Sequence, residues 1–245
     1  MDVSSVHQLC QKLISSAIQR CRMSDHLCRL SVFLKSSPPS DPPLVRISVS
    51  DTGVGSCLEE FQCLKYAMDP ESAEKWVRAA LSCITDGVIS LTTTGINDSD
   101  IYYYHLNLKE IVSTRRLTKL PSSSKNGTTF SGTEVSFSVF GSVDGLLVKL
   151  TYFLDKMLIL RIPNVAIEML VEESDDISGS RCKTLVPAND CFPLTSAASN
   201  VERLKSGLED YVFKHGNNLN DICHSCFSSG VGRVSQGAVF APQLE

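Results

Sequence analysis

Residues 3–22 place apolar side chains at Val6, Leu9, Cys10, Leu13, Ile14, Ala17, Ile18 and Cys21. This i, i+3, i+4 recurrence predicts one amphipathic helix with a single buried stripe. The period then drops to two. Residues 27–35 alternate, and so do residues 44–50, where Val45, Ile47 and Val49 share a face opposite Arg46, Ser48 and Ser50. Both read as strands, separated by Ser36-Ser37-Pro38-Pro39-Ser40-Asp41-Pro42-Pro43, which is too rich in proline for a ladder. Short helices are expected from Leu58 and over 70–83. Residues 87–94 and 100–108 alternate around the turn Gly95-Ile96-Asn97-Asp98 and predict a hairpin. A further strand covers 131–140, a helix 146–159 ended by Pro163, and a strand 165–171. Residues 172–199 read as a linker or long surface loop, and 200–215 as a helix with Val201, Leu204, Leu208, Tyr211 and Val212 on one face. The expected organisation is one domain over 1–171, the linker 172–199, and an incomplete C-terminal region over 200–245.

The strand 44–50 runs straight into Asp51-Thr52-Gly53-Val54-Gly55. An acid delivered by a buried strand into two close glycines can accept a hydrogen bond from an amino group at the base of a pocket. The glycines let backbone approach a flat ligand. The plainer alternative is a strand ending in a glycine turn with Asp51 as its local cap. The first helix bears on that choice, because no Asp or Glu occurs between Val3 and Ser24. Whatever ligand Asp51 serves, this helix brings no carboxylate to activate water.

Bulk properties narrow the classes. The 245 residues carry a formal net charge of −4, with 42% hydrophobic and 20% charged residues, as in ordinary globular chains. That charge gives no overall attraction to nucleic acid or to a membrane surface. The ten cysteines form no regular framework and point to reduced thiols in the cytosol or nucleus. No apolar run is long enough for a transmembrane helix, and the N-terminus lacks a signal-peptide core. Cys223-His224-Ser225-Cys226 is one half of a zinc site without a matching second half, so no metal is expected. Tyr102-Tyr103-Tyr104 fits a strand better than a nucleophile, since no acidic cluster accompanies it. Arg115, Arg116 and Lys119 form the densest basic patch and are candidates for contact with DNA or an acidic partner.

The order of these marks resembles the GHKL (Bergerat-type) ATP-binding superfamily, and within it the plant meiotic topoisomerase VI B-like family. The residues carrying the resemblance are Ser16-Ala17-Ile18-Gln19-Arg20-Cys21, the run Val45–Phe61, Ser131–Val135 and Leu150–Val171. The resemblance implies an α+β fold, a two-layer sandwich with a mixed, mostly antiparallel sheet and helices on one face. It implies that strands 27–35 and 44–50 pair antiparallel. It makes Asp51, Gly53, Gly55 and Thr133 a vestigial nucleotide-binding frame. It puts Lys12, Ser16 and Gln19 where active relatives hold a catalytic Glu, a magnesium-binding Asn and an Asp. Those substitutions, and the lack of any Gly-x-Gly between Ser56 and Ser131, imply lost hydrolysis and at most weak ATP or magnesium binding. The implied role is a nuclear, non-hydrolysing subunit in a hetero-oligomer. It would scaffold a tyrosine-bearing topoisomerase VI A-like subunit for meiotic double-strand breaks and meet DNA through that complex. Two alternatives stay open. One is an active ATPase using Glu59 or Glu60. The other is an unrelated α/β interaction module in which Asp51-Thr52-Gly53-Val54-Gly55 is only a turn, a reading that a parallel, doubly wound sheet would favour.

Overall fold

A computed structural model describes residues 2–36, 43–61, 79–80, 82–110, 116–175, 179–186 and 200–215. Helix α1 spans Val3–Arg22. Asp2 caps it, with Oδ1 accepting from the Ser4 and Ser5 amides at 3.1 and 3.4 Å, while Arg20 and Arg22 lie in the last turn, where the helix dipole favours cations. The strands are β1 (Cys28–Ser36), β2 (Leu44–Asp51), β3 (Val88–Thr94), β4 (Asp100–Asn107), β5 (Leu117–Lys119), β6 (Ser123–Ser124), β7 (Gly132–Phe140), β8 (Val165–Asp175) and β9 (Gly179–Val186). Helices α2 (Asp144–Ile159) and α3 (Asn200–His215) complete the described elements. The helix expected over 70–83 lies mostly outside the described residues, as does most of the proline-rich loop.

The sheet order is β5-β4-β3-β7-β2-β1-β8-β9, with β6 paired to β4. Only the β1–β8 pairing is parallel; every other described pairing is antiparallel. This is the expected mixed, mostly antiparallel α+β sheet, and it is not the doubly wound parallel sheet of the interaction-module alternative. Register explains where the core sits. One row across the sheet is Val171, Leu34, Ile47, Phe137, Ile89 and Leu106, and the next is Met169, Val32, Val49, Val135 and Leu91. All eleven side chains are buried, at 3% exposure or less. Helix α1 lies on this face against β1 and β2. Helix α2 lies beside α1, with His7 edge-on to Phe153 and Lys149 donating to the Ser4 hydroxyl at 2.8 Å. The opposite face of the sheet is polar, with Ser31, Ser48, Ser50, Glu134, Ser136 and Glu168.

The stretch 172–199 differs from its expected loop. Strand β8 continues to Asp175, and β9 returns antiparallel to it over 179–186. Ladder bonds are made by backbone, so an edge strand tolerates the Glu, Asp and Ser content that reads as loop in sequence. The chain divides into two compact units, Met1–Leu154 with Ile162–Leu194, and Asp155–Arg161 with Thr195–Glu245. In the second unit Arg161 pairs with Asp210 of α3.

Candidate functional site

The third row of the buried face changes character. Ile167 and Leu30 are followed by Asp51, Thr133 and Thr93, which are Cα partners on three successive strands. An apolar core thus ends in a polar rim beneath the carboxyl end of α1. Each polar group there finds a partner, as burial requires. The Thr93 and Thr133 hydroxyls are 2.9 Å apart, and Thr93 Oγ1 accepts from the Ser56 amide at 2.8 Å. Asp51 Oδ1 accepts from the Gly53 amide at 2.9 Å. Asp51 Oδ2 accepts from Nε and Nη2 of Arg20, at 3.0 and 2.7 Å.

Arg20 also donates through Nη1 to Glu60 Oε2 at 2.5 Å, and Glu60 Oε1 accepts from the Ser56 hydroxyl at 2.5 Å. One polar chain therefore runs from Asp51 through Arg20, Glu60 and Ser56 to Thr93 and Thr133. It ties α1, β2, β3, β7 and the turn at 59–61. The Arg20 side chain is 3% exposed and that of Asp51 is 0% exposed. Burial pushes the Asp51 carboxyl above the ordinary carboxylate range, and the Arg20 guanidinium and the Gly53 amide oppose it. Burial likewise pushes the neighbouring Cys21 thiol up, helped by the charge of Asp51.

Gly53 makes this arrangement possible. A Cβ there would lie 2.5 Å from the Arg20 carbonyl carbon and 2.7 Å from the Cys21 nitrogen, so only glycine lets the loop pass under the helix end. Gly55 adopts φ +88° and lies against the Thr94 carbonyl. Above this floor opens a cleft of about 740 Å³. Helix α1 contributes Ser16, Gln19, Arg20 and Met23; the loop after β2 contributes Val54 to Leu58 and Glu60; the β3–β4 hairpin contributes Thr93, Thr94, Gly95, Asp98, Tyr102 and Tyr104.

The structure thus gathers most of the residues singled out in the sequence. Ser16, Gln19 and Gly55 line the cleft. Asp51 and Thr133 are buried behind it, with Gly53 beside them. Lys12 is half-buried on α1 and is not part of the lining. Of the basic patch, Arg116 and Lys119 are exposed, the Lys119 ammonium standing 4.6 Å from the Tyr102 ring centre, while Arg115 lies outside the described residues. Cys223 and Cys226 also lie outside them. Among the described residues no group of three or more His, Cys, Asp or Glu side chains could hold a metal, and no helix is long and apolar enough to cross a membrane.

Sequence reading missed Arg20, Ser56 and Thr93, and it treated Glu60 only as an alternative base. A signal for Arg20 was present, since it lies three residues after Ala17 and seven after Leu13, on the buried stripe. A cation in an apolar stripe calls for a buried anion.

Among solved structures the chain is similar to the N-terminal domain of a DNA repair protein, at 13% identity and TM-score 0.46, over 81% of this chain and 55% of that one. It is also similar to the ADP-bound MutL ATPase domain of Aquifex aeolicus, at 16% identity and TM-score 0.42, over 87% of this chain and 69% of that one. The chain therefore spans little more than half of the DNA repair domain. Comparison with curated proteins gives no match. Residues 201–241 match the family described as the MTOPVIB middle domain.

Proposed function

We propose that this chain is a non-hydrolysing, B-like subunit of a meiotic topoisomerase VI-like complex in the nucleus. It scaffolds a tyrosine-bearing A-like subunit that makes the DNA breaks. The MTOPVIB match at 201–241 supports the complex. The observation that carries the non-hydrolysing half is the cleft face of α1, which presents Ser16, Gln19, Arg20 and Met23 and no carboxylate. Water attack on a phosphoryl group needs a positioned base, whose removal lowers rates by about 10²–10⁴-fold. The polar chain through Arg20 and Glu60 already joins helix, floor and turn, so the domain holds its shape by internal contacts.

A second reading, an active ATPase, has the position of Glu60 in the cleft in its favour. Against it, the Glu60 oxygens accept from Arg20 and Ser56. Glu59 is exposed and outside the cleft lining. Co-purification of a topoisomerase VI A-like protein with this chain, and with a form of it extended at the C-terminus, tests the scaffold. Retention by the longer chain is expected, and no retention by either would overturn it. Magnesium-dependent ATP turnover lost on Glu60→Gln would favour the enzyme.

A further inference from the structure

The GHKL resemblance implies an adenine nucleotide resting on Asp51, and the residues present do not fit one. The Asp51 side chain has 0% exposure and is absent from the cleft lining, whereas Arg20 is part of that lining. Both carboxylate oxygens already accept hydrogen bonds within the chain, Oδ1 from Gly53 and Oδ2 twice from Arg20. A guanidinium is a planar, sp² group with N–H donors along its edge, and adenine offers a carboxylate a single planar donor group, its exocyclic amino nitrogen. We infer that Arg20 is the built-in occupant of the base-binding seat, its guanidinium holding the Asp51 carboxylate in place of any ligand amino group.

The second anchor fixes that occupancy. Nη1 donates to Glu60, so the side chain is tethered on two sides. Gly53 holds the backbone of Arg20 and Cys21 directly against the floor, and the Val54 amide reaches the Arg20 carbonyl at 3.4 Å. A ligand would have to break an ion pair with neither side chain more than 3% exposed before meeting Asp51. The inference deepens the non-hydrolysing reading and rests on it only for the identity of the displaced ligand. Failure to capture an A-like subunit would sink the complex and leave this contact standing.

The test is chemical rescue. Arg20→Ala removes the guanidinium and leaves a guanidinium-shaped space over Asp51, open to the cleft. Millimolar guanidinium chloride, compared with sodium chloride at equal ionic strength, is expected to raise the melting temperature of Arg20→Ala saturably. Neither the wild type nor Arg20→Ala/Asp51→Asn should respond. No guanidinium-specific rise in Arg20→Ala, or an equal rise in the double variant, overturns the inference. Should Arg20→Ala fail to fold, calorimetric titration of ATP into the wild type and Asp51→Asn decides instead. Absent binding, or binding unchanged by Asp51→Asn, agrees with a filled seat. A tenfold or greater loss of affinity on Asp51→Asn shows that Asp51 meets the ligand and refutes it.

Discussion

Replacing Gly53 by alanine isolates the close approach on which the floor depends. The Gly53 φ lies outside the left-handed region, so an L-residue can adopt this backbone. By chain entropy alone the substitution should stabilise by about 0.4–1 kcal/mol. Packing reverses the sign. The new Cβ would fall 2.5 Å from the Arg20 carbonyl carbon and 2.7 Å from both the Arg20 oxygen and the Cys21 nitrogen. All three are backbone atoms of a helix packed on two strands, so no flexible side-chain end can swing aside. Overpacking of this kind costs about 1–3 kcal/mol. Moving the helix end to relieve it stretches the Arg20–Asp51 hydrogen bonds at 2.7 and 3.0 Å, each worth about 1.5–3 kcal/mol when charged. The net expectation is a loss of about 2–4 kcal/mol, or roughly 5–15 °C in Tm for a domain of this size. Urea titration and thermal melting read this directly. Gly127→Ala serves as control, because Gly127 has φ +78° with no atom within 4 Å of a new Cβ. It should lose only the left-handed penalty of about 1–2 kcal/mol. A Gly53→Ala protein melting at or above the wild type would refute the contact between the loop and α1, and with it the sealed floor.

Other consequences are equally direct. His7 Nε2 is buried with no hydrogen-bond partner among the described residues, and burial together with Lys149 holds its pKa below 6.5. A depressed histidine contributes stability that is full above about 6.5 and is lost as pH falls through its folded value. Urea midpoints should therefore drop more steeply on acidification for the wild type than for His7→Leu. Lys125 is 5% exposed and donates to the Gly95 and Phe130 carbonyls, both at 2.6 Å. Lys125→Met should lower stability by about 1–3 kcal/mol and speed amide exchange over 95–98 and 126–131. Cys57 is exposed, whereas Cys10 is buried with its thiol pushed up to about 12. Peptide mapping after brief maleimide treatment should find Cys57 labelled and Cys10 untouched until the protein unfolds.

Period alone made most of the scaffold legible. The helix read over 3–22, the strands at 44–50 and 131–140 and the hairpin around Gly95 all stand within a residue or so of their positions, because each carries one apolar face in one clean phase. Strand β9 was not legible, since its pairing depends on backbone and leaves no alternation to read. Asp51, Gly53 and Gly55 were found because a strand ending in an acid and two glycines is an unusual local string. Thr93 was not, because its importance comes from lying opposite Thr133 on a strand 40 residues away, a fact of register. Arg20 is legible in principle, because a base on a buried stripe implies a buried acid. The resemblance read from the sequence draws attention instead to Lys12, Ser16 and Gln19 on α1, and Arg20 is not one of them.

The charges around the cleft bear on which ligands can enter it. Among its described lining residues the ionisable side chains of fixed sign are Arg20, Glu60 and Asp98, which sum to −1, and Asp51 adds a further acid behind them. Arg20 is committed to the two carboxylates it bridges, and Asp98 Oδ2 accepts from the Gly95 amide at 2.6 Å. Lys125, which follows β6, gives its ammonium to the Gly95 and Phe130 carbonyls and is not part of the lining. A triphosphate entering here would meet a negative field and no uncommitted cation among these groups, which is unfavourable in a partly buried site of reduced dielectric. The enclosed Asp51–Arg20 pair and the acidic lining are independent features that both disfavour a nucleotide. Removing one of them, as in Arg20→Ala, should open Asp51 to a small amino-bearing ligand while leaving triphosphates weakly bound. Adenosine binding Arg20→Ala more tightly than ATP does would show the two effects separately, and the reverse order would show that the acidic lining does not govern what enters.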